Sequence, residues 1–249
     1  MDRADILNSF PDVDAMEEFA TTLRRLDADI DVRAVVITGA GNAFSAGGNI
    51  KRMVALYGPE GGPAAGVPAL YKDRAQRVTR ALQAVEVPMV AAVNGPAIGL
   101  GCDIVASCDI RVGVPQANFA AAFIRLGLVP GAGAAWLLPR LIGHSRASEM
   151  LLTGRAIDAA TALDWGLLSY LVPAQELLPK AQALAREIAN NPPYQLRWTK
   201  RLLRQSAQEC FERAADDAAT LQGLAHRTDD HREGVDAVLH RRQANFTGT

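Results

Sequence analysis

A chain of 249 residues, 49% hydrophobic and 21% charged, can bury one large core and does not need a second catalytic domain. Its formal net charge of −1 gives no electrostatic basis for binding nucleic acid or an anionic membrane surface. Its apolar runs are too short, and too broken by Gly and charge, to span a membrane as a helix. The three cysteines, Cys102, Cys108 and Cys210, with no leader-like apolar segment ahead of them, read as reduced thiols of a cytoplasmic protein. Cys102 and Cys108 sit in an apolar stretch, as small buried hydrophobes do.

Met16 to Leu26 places Met16, Phe19, Ala20, Leu23 and Leu26 at helical spacing, with Glu17, Glu18, Arg24 and Arg25 opposite, which predicts an amphipathic helix. The β-branched run Ala34 to Thr38 predicts a buried strand, followed by a small-residue turn and a short helix through Ile50 and Met53. Between Tyr57 and Pro68, Gly and Pro are too dense for regular structure, giving a loop that is either a lid or a plain surface linker. Tyr71 to Val85 is helical in pattern, and Met89 to Val93 is a second buried strand with its own turn. Further strands are expected at Ile110 to Val114 and Asn118 to Ala120. Helical patterns follow at Arg146 to Leu152, Ala159 to Leu163 and Leu177 to Ala189, with stops at Gly154, Gly166 and Pro173. Asn190-Asn191-Pro192-Pro193 marks a boundary between a core of residues 1–190 and a helical region of residues 191–249, helical from Tyr194 to Arg242. Strands alternating with helices predict an α/β fold with a largely parallel sheet.

The two turns carry the chemistry. The first reads Ala43-Phe44-Ser45-Ala46-Gly47-Gly48-Asn49-Ile50 and the second Asn94-Gly95-Pro96-Ala97-Ile98-Gly99-Leu100-Gly101-Cys102-Asp103. Each leaves a buried strand and opens toward a helix, so each presents unpaired backbone N–H groups. Side by side they would form an oxyanion hole, which stabilises negative charge developing on a carbonyl oxygen. The same glycines would also serve tight helix-to-strand packing alone. His144, His226, His231 and His240 show no metal-ligand spacing and read as solvated surface residues.

These turns, together with Cys108-Asp109-Ile110, Gly127-Leu128-Val129-Pro130-Gly131-Ala132-Gly133, Leu151-Leu152-Thr153-Gly154 and Arg241-Arg242-Gln243-Ala244-Asn245-Phe246, resemble in their order the crotonase superfamily of enoyl-CoA hydratases and isomerases. The resemblance runs from about Val32 to the C-terminus. It implies a spiral of ββα units, a C-terminal helical trimerisation region, and a homotrimer or dimer of trimers. It also implies an acyl-CoA thioester as substrate, with no cofactor beyond the coenzyme A that the substrate carries. Ahead of the first helix the family's strand hairpin is missing, so either the protein lacks it or its start was placed too late, with an exposed sheet edge as the expected result.

The resemblance assigns the oxyanion donors to the amides of Ala46 and Leu100, in a substrate-binding frame of Ala43, Ser45, Gly47, Gly48, Asn49, Ile50, Lys51 and Gly99. Asn49 stands where aspartate is common and would cap the following helix equally well. Asp103 falls at a hydratase glutamate position, its carboxyl one methylene shorter in reach, or else is a first-turn acid favoured by the helix dipole. Phe123 occupies the position of the second hydratase glutamate, and Gly131 that of an isomerase aspartate. One carboxyl and an oxyanion hole suffice to move a proton along an enolate, so double-bond isomerisation of an enoyl-CoA is expected ahead of hydration. A catalytically silent acyl-CoA-binding protein is the reading of another class. Arg241 matches a nucleotide-contacting position, with Val238 replacing an aromatic residue, and Lys51 is either a second phosphate ligand or an ordinary surface charge.

Overall fold

The computed structural model describes residues 1–49, 72, 74–206 and 211–249, and the structural statements below concern these. Helix α1 (Val13–Ala28) starts where the Asp12 carboxylate accepts the Ala15 amide, and it buries Met16, Ala20 and Leu23 along one face. Strand β1 (Val35–Thr38), helix α2 (Ala75–Ala84), strand β2 (Met89–Val93) and strand β3 (Ala97–Ile98) follow. Then come helix α3 (Leu100–Ser107) and strands β4 (Ile110–Gly113) and β5 (Asn118–Ala120). All five residues of β2 and all eight of α3 are buried, as expected of the centre of a layered α/β core. The expected short helix through Ile50 and Met53, the 57–68 loop and Cys210 lie outside the described residues.

Helices α4 (Ala134–Ile142) and α5 (His144–Thr153), strand β6 (Ile157–Asp158), helix α6 (Ala159–Asp164), strand β7 (Tyr170–Leu171) and helix α7 (Leu177–Ala189) complete the central part. One sheet runs in the order β1-β2-β4-β7 with every pair parallel; in the other, β3 pairs β5 in parallel and β5 pairs β6 antiparallel. Val35 sits opposite Met89 and Thr38 opposite Ala92, so β1 and β2 run side by side and leave the sheet at the same level. β1 is an edge strand, and the N-terminal residues cover its far end rather than leaving it open. The Met1 ammonium donates to the Thr38 carbonyl and the Ala40 amide to that of Met1, while Phe10 pairs in parallel with Gly48.

The region expected to be helical from Tyr194 to Arg242 contains α8 (Pro193–Ser206), α9 (Phe211–Ala225) and α10 (Asp229–Leu239). α8 is tied to the core by Arg197, Lys200, Arg201 and Arg204, which share one face at helical spacing. Arg197 pairs with Asp27 at 2.8 Å and Arg201 with Glu86 at 2.6 Å; Arg204 donates to the carbonyls of Leu82, Gln83 and Val85. Buried Lys200 donates to Asp109 and to the Val87 carbonyl, both at 2.7 Å, and burial lowers its affinity for a proton. Lys200→Met would strand the Val87 carbonyl and remove the 2.7 Å partner of Asp109, leaving that carboxylate the Met89 amide and Arg204 at 3.9 Å. It is expected to cost about 2–3 kcal/mol, read as a lower urea midpoint with an unchanged slope.

Candidate active site

Strands β1 and β2 deliver the two turns to one place, where short side chains bind them together. Asn94 donates from Nδ2 to the carbonyls of Gly41 and Ala43 and accepts the Gly39 amide on Oδ1. Buried Asn8 reaches in from the N-terminal segment and donates to the carbonyls of Ala40 and Ala43. The Ser45 amide donates to the Pro96 carbonyl and the Ile98 amide to that of Ser45, stitching the first turn directly to β3. Gly47 has φ +81°, and a β-carbon there would stand 2.4 Å from the Ile98 carbonyl oxygen and 3.0 Å from the Leu100 nitrogen. The two backbones therefore touch, which a side chain at Gly47 would prevent.

Hydrogen bonding decides which amides face a ligand. The Ala46 amide donates to the Leu7 carbonyl at 2.9 Å, so the expected oxyanion role of Ala46 is corrected: its N–H is already used. The Gly47 amide donates to Ser45 Oγ at 3.1 Å. Among the described residues no acceptor takes the amide of Gly48, next in the chain, nor that of Leu100. Leu100 is the first residue of α3, where an N–H has no intrahelical partner. The pair of free donors is thus Gly48 and Leu100.

Two other expected ligand residues are corrected in the same way. Ser45 is fully buried, with its hydroxyl donating to the Asn8 carbonyl, and Ala43 is buried with its carbonyl taken by Asn8 and Asn94. Both hold the frame, with the Ser45 hydroxyl and the Ala43 carbonyl already engaged within the protein. Gly47 contributes the close approach, and Gly99, at φ +55°, gives the turn that starts α3. Gly48 and Asn49 are partly exposed at the mouth of the first turn. Ile50 and Lys51 lie outside the described residues. Arg241 is exposed beyond the end of α10, with φ +53°, and its guanidinium makes no ion pair among the described residues. No hydrogen bond described joins it to either turn.

Asp103 lies in the first turn of α3, three residues after Leu100, and is 1% exposed. Neither carboxyl oxygen has a hydrogen-bond partner among the described residues. Burial without a partner pushes its pKa up from the usual carboxylate range to about 7, and the nearby backbone amide of Ala134, at the start of α4, pulls weakly the other way. A structural acid would be paired or solvated. Asp103 is neither, and its pKa of about 7 lies in the range a general base uses near neutral pH. Cys102 and Cys108 are free, buried thiols whose pKa values burial drives up, which leaves them protonated and inert.

Phe123, in the 3-10 turn Ala122–Leu126, faces the second oxyanion turn: a β-carbon on Gly99 would meet its ring at 3.9 Å. The two turns thus offer two amides with no acceptor among the described residues, α3 adds one buried unpaired carboxyl in its first turn, and Phe123 stands against Gly99 where the resemblance expects a second carboxyl. Sequence reasoning missed Gly48 as donor and Asn8 and Asn94 as organisers. The available signal was Asn94 directly after β2, since Asn bonds readily to backbone in tight turns.

A family model described as enoyl-CoA hydratase/isomerase matches residues 1–249. The 1,2-epoxyphenylacetyl-CoA isomerase of Escherichia coli (strain K12) is 34% identical over 249 residues, covering 100% of this chain and 93% of that protein. A crotonyl-CoA hydratase of Syntrophomonas wolfei is 33% identical over 234 residues, 94% of this chain and 87% of that protein. Among solved structures, an enoyl-CoA hydratase from Bacillus anthracis superposes with a TM-score of 0.91 at 29% identity, covering 99% of this chain and 93% of its own.

Proposed function

The chain belongs to the enoyl-CoA hydratase/isomerase family, and from that premise we propose that it isomerises the double bond of an enoyl-CoA through a thioester enolate. The observation that carries this reading is the unpaired buried carboxyl of Asp103, the one such acid among the described residues, on the helix that follows the Gly99 turn against which Phe123 stands. The thioester oxygen sits between the amides of Gly48 and Leu100, which stabilise its charge as the enolate forms. The Asp103 carboxylate takes a proton from the carbon α to the carbonyl, and the resulting acid returns it at the γ carbon, shifting the double bond into conjugation. One carboxyl thus acts first as base and then as acid, with no net proton change and no electron acceptor. Coenzyme A enters as part of the substrate only.

Hydration asks for more: a group must activate water at the β carbon while another delivers the α proton. Phe123 offers an apolar ring at the position where the resemblance puts the second carboxylate. The free guanidinium of Arg241 suits a phosphate of the coenzyme, reached in an assembled homotrimer or dimer of trimers, to which the exposed Val235, Val238 and Leu239 of α10 lend an apolar surface.

Turnover of a 3-enoyl-CoA and of crotonyl-CoA, measured beside binding of both esters, tests the reading. Isomerisation well ahead of hydration is the expected result; hydration alone would establish the hydratase reading, and binding without turnover a silent acyl-CoA-binding protein. Phe123→Glu supplies the matching gain-of-function prediction. A second carboxyl beside Gly99 is expected to raise crotonyl-CoA hydration about tenfold or more over wild type while isomerisation falls, measured by loss of the conjugated thioester absorbance.

A further inference from the structure

Outside this site, the turn between α9 and α10 brings together two histidines that the sequence presents as unrelated surface residues. His226 Nδ1 lies 3.0 Å from His231 Nε2, with ring centroids 4.4 Å apart and planes at 82°. Their backbone is tightly held. The His226 amide donates to the Gln222 carbonyl, and Thr228 Oγ1 donates to the Ala225 carbonyl while accepting the His231 amide as the N-cap of α10.

A gap of 3.0 Å between imidazole nitrogens is compatible with two ligands of one transition-metal ion: with metal–nitrogen bonds of about 2.0–2.1 Å it corresponds to an angle of about 91–97° at the metal, the cis angle of a tetragonal or octahedral shell. We propose that His226 and His231 form a binding site for a borderline divalent transition-metal ion of the Zn²⁺, Ni²⁺ or Cu²⁺ class, with water completing the coordination.

The tautomers required are available. His226 must carry its proton on Nε2, and the Gln222 side-chain amide stands 3.5 Å from that nitrogen, able to accept the proton once its oxygen is turned inward. His231 must likewise carry its proton on Nδ1, and the metal takes the place of the hydrogen bond the two rings share. The neighbouring carboxylates are committed elsewhere: Asp229 pairs with Arg232, and buried Asp230 accepts the amides of Thr247 and Gly248. A shell of neutral nitrogens with no carboxylate favours these ions over Mg²⁺ and Ca²⁺. His231 and Gln222 also line a cavity of about 480 Å³ shared with Gln195, Val235, Val238 and Phe246, so bound metal would staple α9 to α10 at the wall of that cavity.

Calorimetric titration of the tag-free protein with Zn²⁺, Ni²⁺ and Mg²⁺ tests the site, with melting followed in parallel. Saturable binding of one Zn²⁺ or Ni²⁺ per chain, no binding of Mg²⁺, and a metal-dependent rise in Tm are expected. Both His226→Gln and His231→Gln should weaken binding about tenfold or more and abolish the rise, whereas His240→Gln, an exposed histidine on Asp236, should change neither. Circular dichroism confirms that these surface variants fold. Absence of saturable Zn²⁺ and Ni²⁺ binding, or affinity unchanged in both His226→Gln and His231→Gln, would overturn the proposal.

Discussion

Asp103→Asn is expected to lower isomerisation by about 10²- to 10⁴-fold, the range general acid–base catalysis contributes, while binding of the enoyl-CoA changes little. The amide keeps the shape of the side chain but can neither take nor return a proton. In the wild type kcat/KM should rise with pH and level off above about 7, because the carboxyl must be ionised to act and its pKa lies there. The same carboxyl fixes the sign of a stability effect. The folded protein holds this proton up to about pH 7, whereas the unfolded chain releases it near 3.8, so folding becomes less favourable as pH rises between those values. The difference amounts to about 4 kcal/mol, all of it expressed above pH 7. Denaturant titrations from pH 4 to 8 should show wild-type stability falling relative to Asp103→Asn, with the variant ahead at pH 8. Parallel pH profiles for the two proteins would place Asp103 outside the buried site.

Gly47→Ala is expected to cost about 3 kcal/mol or more and to reduce turnover by the about 10²- to 10³-fold that one lost oxyanion donor brings. The added methyl would meet the Ile98 oxygen at 2.4 Å and the Leu100 nitrogen at 3.0 Å, both main-chain atoms that cannot swing aside. Leu100 carries one of the two amides proposed to hold the oxyanion, so the clash pushes the two turns apart at that point. Gly127→Ala provides the comparison, since Gly127 has a similar φ of +67° with nothing within 4 Å of an added methyl. That variant should cost about 1–2 kcal/mol for backbone conformation alone. Urea unfolding separates the two costs, and equal losses would show that conformation rather than contact governs Gly47.

How far the sequence discloses this arrangement depends on the range of the interaction concerned. Leu177–Ala189 is marked at both ends by Pro173 and Asn190 and by its own period, and the helix found has those bounds. β2 is equally plain, because five consecutive apolar residues can only be buried on both faces. Ala46 against Gly48 is different. Both are small residues in one turn, and what separates them is the Leu7 carbonyl, supplied by a distant segment that carries no signal of its destination. The His226–His231 contact likewise arises from a turn between helices, a geometry no single-helix spacing reveals. The exposure of Asp103 was also beyond sequence reasoning, since a first-turn acid looks the same whether it meets water or is sealed behind α4.

The in-register pairing of β1 with β2 makes the interval between the two amides proposed to hold the oxyanion a property of a lattice rather than of a loop. Neighbouring strands lie about 4.8 Å apart, and a slip of one residue would move one turn by about 3.3 Å relative to the other. Such a jig admits almost no intermediate settings, so the proposed grip on the thioester oxygen is set by strand register and not by loop adjustment. Side chains carried by α3 and by the 3-10 turn bearing Phe123 are under no such constraint. A change of acid on α3 or on that turn would therefore alter the chemistry without disturbing the pairing of the two strands.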